Sequence, residues 1–173
     1  MKSKYSTLFV LGTLFLCAKI FYKYANISQL LWLVKPVAIW ISSFTNTTMY
    51  WDDSAGYVFP SLSICIEKSC SGFNFLLICS AMLSYLILQK NNRISLKYSL
   101  LIFLISYLST IVSNTTRICF SIVLNRAFPH HWMVHHSFVH QGIGVFTNVF
   151  FLILTYLVFQ YLFKTSLQHE KSS

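Results

Sequence analysis

Five long runs of apolar residues constrain the fold of this chain more than any other feature of its sequence. They lie near residues 6–22, 28–45, 72–89, 98–113 and 141–163. Several approach the roughly 20 residues that a helix needs to cross a bilayer. Only 10% of the residues are charged, against about 25% in a typical soluble domain. The pattern predicts an all-α, polytopic transmembrane helical bundle with four or five spans.

The charge of the chain follows these apolar runs. Thirteen Lys and Arg residues against four Asp and Glu residues give a formal net charge of +9, which in a soluble protein would suggest a nucleic-acid partner. Here the basic residues mostly flank the apolar runs, where they orient membrane helices. We therefore expect contact with membrane lipid, no nucleic-acid partner, and a single integral membrane domain over residues 1–173.

The basic loop between the third and fourth runs sets the orientation. Residues 89–97 carry three basic residues and no acidic one, so this loop should be cytoplasmic. About 20 residues of helix in either direction bring the chain to the opposite face. Cys70 and Arg117 therefore share the external side. A basic tail after the last run agrees with this orientation and leaves His140 at the external mouth of that run.

The amino-terminal half admits two topologies. Residues 28–45 contain Lys35 and Pro36, so this run can span, kink or lie in the interface. With five spans, the amino terminus is outside and Lys19 and Lys23 are inside. With four, the run is re-entrant or interfacial and the amino terminus is inside. Residues 46–69 are external in both topologies.

Three side chains with catalytic chemistry converge on the external face: Cys70, Arg117 and His140. A cysteine acts as a nucleophile in its thiolate form, which a helix amino terminus and a nearby cation favour. An imidazole can take the thiol proton and return it to a leaving amine, so His140 is the candidate for proton transfer. The fixed donors of an arginine suit the oxyanion of a tetrahedral intermediate, and Arg117 is the candidate for that role.

Four further residues stand beside these three. Ser71 and Gly72 follow the cysteine, and a glycine permits the close approach of another backbone. Asn114 precedes the arginine by three residues and shares its helix face, where it can orient the guanidinium or bind the substrate backbone. Gly144 follows the histidine by four residues.

Other interpretations use the same residues. Cys70 can pair with Cys65 in an oxidising exterior, and Arg117 can be a snorkelling residue that marks topology. A histidine-ligated membrane metalloenzyme is the strongest rival, because histidines four residues apart can bind a metal from one helix face. The histidines concerned are His130, His131, His135, His136 and His140. The scarcity of acidic residues and of further histidine clusters argues against it. A non-enzymatic membrane assembly subunit is the other alternative.

The motifs Cys70-Ser71-Gly72, Asn114-Thr-Thr-Arg117 and His140-Gln-Gly-Ile-Gly144 resemble, in order and placement, those of the exosortase/archaeosortase family. The resemblance covers roughly residues 60–163, the expected catalytic core. It implies Cys70 as nucleophile, Arg117 as stabiliser of the transition state and His140 as proton-transfer residue. Phe73 and Asn74 follow the cysteine motif where the family often has a basic residue, and the chain is similar to a short, exosortase K-like form.

The resemblance also implies a substrate and a location. Substrates would be secreted proteins that end in a sorting signal: a short motif, a transmembrane helix and a basic cluster. The enzyme would be a multi-pass protein of the cell (inner) membrane, with its active site on the external or periplasmic face. It would cleave before the helix through a cysteine thioester, with no cofactor and no metal. The acceptor, and the choice between hydrolysis and transfer, stay open.

Overall fold

The structure is a computed structural model that describes residues 2–90, 95–127 and 136–171, with side chains in the last segment from 142 to 161. Within these residues the chain forms five α-helices: α1 Lys2–Tyr24, α2 Leu31–Thr45, α3 Phe73–Lys90, α4 Leu96–Ala127 and α5 His136–Lys171. The five helical segments are all long and apolar enough to cross a membrane. The prediction of a polytopic transmembrane helical bundle is confirmed.

Helix α1 runs antiparallel to α3. Near the start of α1, Thr7 shares a cavity with Ser84 and Leu96, at the end of the bundle where α4 begins. Near the end of α1, Nζ of Lys19 donates to Oδ1 of Asn74 over 2.6 Å, in the first turn of α3. We call this second end, which holds Cys70, the Cys70 end of the bundle.

These contacts contradict one version of the topology. The five-span alternative placed Lys19 and Lys23 on the side opposite to Cys70. In the structure both lie at the Cys70 end, where Nζ of Lys68 donates to the carbonyl of Lys23 over 3.1 Å. The amino terminus therefore lies at the same end as the start of α4, as the four-span alternative requires.

Helix α2 packs in the half of the bundle near Cys70. Its buried side chains join one apolar cluster with Phe59, Ile66 and the outer part of α4, and we call it the upper cluster. The lower cluster, built on Phe75 and Cys79 of α3 with α4 and α5, includes no described residue of α2. Although α2 together with the turn before it, Ile27–Thr45, is long enough to cross a membrane, its contacts match the re-entrant or interfacial segment of the four-span alternative.

A proline inside α2 leaves one carbonyl without its helical partner. Pro36 has no N–H, so the carbonyl of Trp32, four residues earlier, cannot receive the usual helical hydrogen bond. Tyr107 of α4 supplies a donor, because its hydroxyl donates to this carbonyl over 2.8 Å. The rings of Trp32 and Tyr107 also stack, with centroids 5.8 Å apart. A bond between helices thus replaces one within the helix.

The segment between α2 and α3 forms a small antiparallel sheet that the sequence analysis did not predict. Its strands are β1 Tyr50–Asp52, β2 Gly56–Phe59 and β3 Ile64–Ile66, in that order. The β1–β2 turn is closed by Asp52, whose Oδ1 accepts hydrogen bonds from the Ser54 hydroxyl and from the amides of Ser54 and Ala55. These bonds, led by that of the hydroxyl, hold the pKa of Asp52 below its ordinary value.

Helices α4 and α5 are longer than their apolar runs. α4 has 32 residues, roughly 48 Å at about 1.5 Å per residue, which exceeds the roughly 30 Å hydrocarbon core of a bilayer. The apolar runs predicted a fourth helix near residues 98–113 and a fifth near residues 141–163. Instead, α4 continues to Ala127 and α5 begins at His136. Residues 128–135 lie outside the described part of the chain.

Candidate active site

Cys70 ends a single 3-10 turn, Lys68–Cys70, directly before α3. Its amide donates to the carbonyl of Glu67 over 2.9 Å, and its side chain is 8% exposed and packs in the upper cluster. Ser71, the next residue, is fully buried. Cys65 and Cys70 are both free thiols, so the alternative of a disulfide between them is not realised in the structure.

Gly72 brings the start of α3 against α4. Its φ of +73° is a left-handed conformation that side chains rarely adopt, and an added Cβ would lie 2.8 Å from Cγ2 of Thr110. The carbonyl of Gly72 accepts the amide of Leu76 over 3.0 Å, so helical bonding starts at this residue. Any larger residue here would strain the turn and separate α3 from α4.

Asn114 connects α4 to the cysteine turn. It is 3% exposed, and its Nδ2 donates a hydrogen bond to the carbonyl oxygen of Cys70. The sequence analysis expected Asn114 to orient the guanidinium of Arg117 or to bind substrate. The structure gives it a different contact, which fixes the backbone of the cysteine relative to α4.

Arg117 lies one turn beyond Asn114 on α4 and reaches toward α5. An added Cβ at Gly144 would stand 3.4 Å from Cδ and 3.6 Å from Nη1 of Arg117, so the absence of a side chain at Gly144 makes room for the guanidinium. Nε of Arg117 is buried and has no hydrogen-bond partner among the described residues. A buried donor without an acceptor is costly, so a ligand oxygen at this position would be stabilised.

A small polar cavity of about 100 Å³ joins these groups at the Cys70 end. Helices α1, α3, α4 and α5 all contribute to its wall, which consists of Tyr22, Ser69, Gly72, Phe73, Asn74, Phe75, Thr110, Asn114, Arg117 and Asn148. Cys70 itself is not part of this wall, although Ser69 before it and Gly72 two residues after it are. Its thiol faces the upper cluster in the resting structure, 3.8 Å from the hydroxyl of Ser69.

The end of α1 forms one side of this cavity. The ring of Tyr22 stacks on Phe73 with centroids 5.0 Å apart, and its hydroxyl donates to the carbonyl of Lys68 over 3.1 Å. The ammonium of Lys68 lies 5.1 Å from the centre of the Tyr22 ring. With Lys19 bound to Asn74, the cavity has two ammonium groups near its rim in addition to the guanidinium of Arg117.

The structure does not describe the side chain of His140 or those of the other histidines in the metal hypothesis. The backbone of His140 lies in α5, one turn before Gly144, while its side chain lies outside the described part of the chain. So do the side chains of the other four histidines of the metal hypothesis. Among the residues whose side chains are described, no three His, Cys, Asp or Glu residues come together as a metal site.

Asn148 is a polar cavity residue that sequence reasoning missed. It follows Gly144 by one helical turn and lines the cavity beside Arg117, and its Oδ1 accepts a hydrogen bond from Ser113 over 3.2 Å. A signal was available, because a carboxamide within an apolar helix is costly in a membrane and marks a functional position.

One known protein family matches nearly the whole chain. The family model of the transmembrane exosortases matches residues 3–159, which include helices α2 to α4, most of α1 and α5, and every described residue of the cavity. The chain belongs to the transmembrane exosortase family. This exosortase is therefore a multi-pass membrane protein, and the match extends well before the roughly 60–163 expected from the motifs. No curated protein and no solved structure matches the chain.

Proposed function

We propose that this exosortase is a membrane-embedded cysteine endopeptidase or transpeptidase that cleaves carboxy-terminal sorting signals of secreted proteins. One observation carries the proposal: a polar cavity beside Cys70 has an arginine donor without a partner among the described residues. Such a donor suits the oxygen that becomes negatively charged when a thiolate adds to a peptide carbonyl.

The proposed reaction has two steps. The thiol of Cys70 gives its proton to His140 and the thiolate adds to the scissile carbonyl carbon, while Arg117 stabilises the oxyanion. The carbon–nitrogen bond then breaks, the leaving amine takes the proton from the imidazolium, and a thioester remains on Cys70. Water or an acceptor amine adds to this thioester, which releases the thiol and leaves a carboxylate or a new amide.

The buried thiol requires one movement before it can react. Cys70 faces the upper cluster, while Ser69 and Gly72 beside it line the cavity. Rotation about the Cα–Cβ bond to another staggered rotamer changes the direction of the sulfur without a change in the backbone. The Asn114 bond to the Cys70 carbonyl holds that backbone in place during the rotation.

An apolar groove on the lipid side supports a substrate that continues as a membrane helix. The groove has a volume of about 660 Å³ and lies between α1 and α3, with Gly12, Ala18 and Leu77 among its residues. Ala18 and Leu77 are each one helical turn from Tyr22 and Phe73 of the cavity. Groove and cavity thus follow the same α1–α3 contact, and small residues such as Gly12 let a neighbouring helix approach closely.

The proposed site faces the external or periplasmic side of the inner membrane. By sequence, seven of the thirteen basic residues flank the helix ends away from Cys70: Lys2, Lys4, Lys90, Arg93, Lys97, Lys164 and Lys171. Three of the four acidic residues, Asp52, Asp53 and Glu67, belong to the segment next to Cys70. A basic excess marks the cytoplasmic side of a membrane protein, and the Cys70 end is then external.

Co-expression with secreted proteins that end in an apolar helix and a basic tail tests this function. Intact-mass measurement should show truncation before the helix with the native enzyme and none with Cys70→Ala. Cys65→Ala is the matched control, since Cys65 is a free thiol of the same segment outside the cavity wall, and it should process normally. Equal truncation with and without Cys70 would remove this residue from catalysis.

A chemical trap separates the thioester route from other mechanisms. Hydroxylamine adds to thioesters, so its presence should convert the truncated product to a carboxy-terminal hydroxamate. A metal-dependent hydrolase, the rival prediction, would yield only the free acid and would lose activity with a chelator. Loss of processing after changes at His130 or His131, together with full activity of Cys70→Ala, would favour that rival.

A further inference from the structure

Among the described residues, the side chain of Asn148 makes one hydrogen bond, to Ser113. It lies within Gly142–Tyr161, a segment of mean hydropathy 2.1, where a carboxamide is costly unless it is hydrogen-bonded. Ser113 is 1% exposed, and its hydroxyl donates to Oδ1 of Asn148 over 3.2 Å. This bond uses one of the two acceptor positions of Oδ1 and leaves Nδ2 as a donor at the cavity.

The two asparagines that α4 and α5 contribute to the cavity differ in whether their side-chain NH2 group already donates a hydrogen bond. Nδ2 of Asn114 already donates to the carbonyl of Cys70. Among the described residues, none accepts a hydrogen bond from Nδ2 of Asn148, and none accepts one from Nε of Arg117. This wall of the cavity therefore offers neighbouring donors from two helices and suits a ligand that presents oxygen acceptors.

We propose that Asn148 is a substrate-binding residue whose Nδ2 donates to a main-chain carbonyl of the peptide near the scissile bond. The inference rests on the proposed function, because it takes the cavity as the place where the peptide is cleaved. A carboxamide recognises a peptide carbonyl without regard to the side chain, so Asn148 aligns the peptide while other groups select its sequence. Ser113 is the positioning residue that fixes the orientation of the amide.

Asn148→Ala tests this role with a secreted protein that the native enzyme truncates. Removal of one neutral hydrogen bond, with the carbonyl left unpaired, should raise KM about tenfold and change kcat less than about twofold, because the bond is present in both ground and transition states. A peptide series with one backbone carbonyl at a time replaced by a thiocarbonyl, a weaker acceptor, should identify one position that matters to the native enzyme. That position should not matter to Asn148→Ala.

Thr155→Val is the matched control. Oγ1 of Thr155 donates to Oγ of Ser109 over 2.9 Å, a second polar contact between α5 and α4 that lies outside the cavity wall. Its loss should affect thermal stability as much as Asn148→Ala does, with KM unchanged. If Asn148→Ala leaves KM unchanged, or lowers kcat without raising KM, the inference is wrong. Absence of truncation by the native enzyme overturns the proposed function and this inference together.

Discussion

Replacing Tyr107 with phenylalanine removes the hydroxyl that serves the carbonyl of Trp32 and keeps the ring that stacks on it. Pro36 has already removed the helical donor for this carbonyl. The substitution therefore leaves an acceptor without a protein partner in a segment next to the membrane. It isolates the contribution of one hydrogen bond of 2.8 Å between α4 and α2.

The expected loss in the free energy of unfolding lies between two limits. A buried acceptor left without a donor costs about 1–3 kcal/mol, whereas hydrogen bonds between membrane helices average about 0.6 kcal/mol and reach about 1.7 kcal/mol. Trp32 is 39% exposed, so water at the membrane surface can serve its carbonyl in part. We expect a loss of about 1 kcal/mol in the free energy of unfolding, about a fivefold change in the equilibrium.

A double-mutant cycle with Pro36→Ala isolates the effect. Alanine at position 36 restores an N–H that can donate a hydrogen bond to the carbonyl of Trp32 within α2. Tyr107→Phe should therefore lower the free energy of unfolding by only a few tenths of a kcal/mol in that background. Unfolding of the protein in bicelles, followed by titration with a denaturing detergent, measures both values. Tyr85→Phe, an exposed tyrosine of α3, is the control. Equal losses in the two backgrounds, or no loss in either, would refute the reasoning.

Three further sets of substitutions probe the site, the groove and the Cys65 thiol. Gly144→Ala should keep processing near the native rate, whereas Gly144→Leu should displace the guanidinium of Arg117 and reduce kcat/KM about 100-fold. Equal rates for the two variants would contradict the contact between Gly144 and Arg117. Gly12→Phe should slow processing by filling the groove, since an added Cβ at Gly12 meets nothing within 4 Å. Thr13→Phe, which lies outside the groove, should not slow it. Equal effects of the two substitutions would exclude the groove as a substrate path. Desolvation, and then the charge of Glu67, raise the pKa of the Cys65 thiol. Alkylation of Cys65 should therefore be slow at neutral pH, accelerate as pH rises, and be faster in Glu67→Gln. An unchanged rate in Glu67→Gln would show that the charge of Glu67 does not raise this pKa.

The candidate site was only partly accessible from the sequence. The motifs indicated Cys70, Arg117 and Gly144 because each stands beside an apolar run, and a common membrane face follows from helix length and loop charge. The structure places Gly144 against Arg117 and joins the cysteine turn to Asn114. The catalytic roles themselves, and that of His140, stay predictions. Which partner the Asn114 amide contacts depends on the packing of α3 against α4, and local spacing carries no information about it.

The small sheet and the path of α2 show why other elements escaped prediction. Strands of three or four residues are too short to show a clear alternation of apolar and polar residues. Residues 28–45 have the length and hydropathy of a span, and composition cannot distinguish a crossing helix from one that packs beside the bundle. That choice is made by the upper cluster, where α2 contacts the sheet and α4.

By itself, the sequence determined that this protein is an integral membrane protein and limited the number of helices that cross the bilayer to four or five. These properties follow from the cost of exposing polar backbone and charge to lipid, which acts locally along the chain. Tertiary structure alone decided that Lys19 lies at the Cys70 end, that Tyr107 serves a carbonyl freed by Pro36, and that Asn148 reaches the cavity. Each of these is a contact between helices distant in sequence, and its partner is selected by packing geometry that no local pattern encodes.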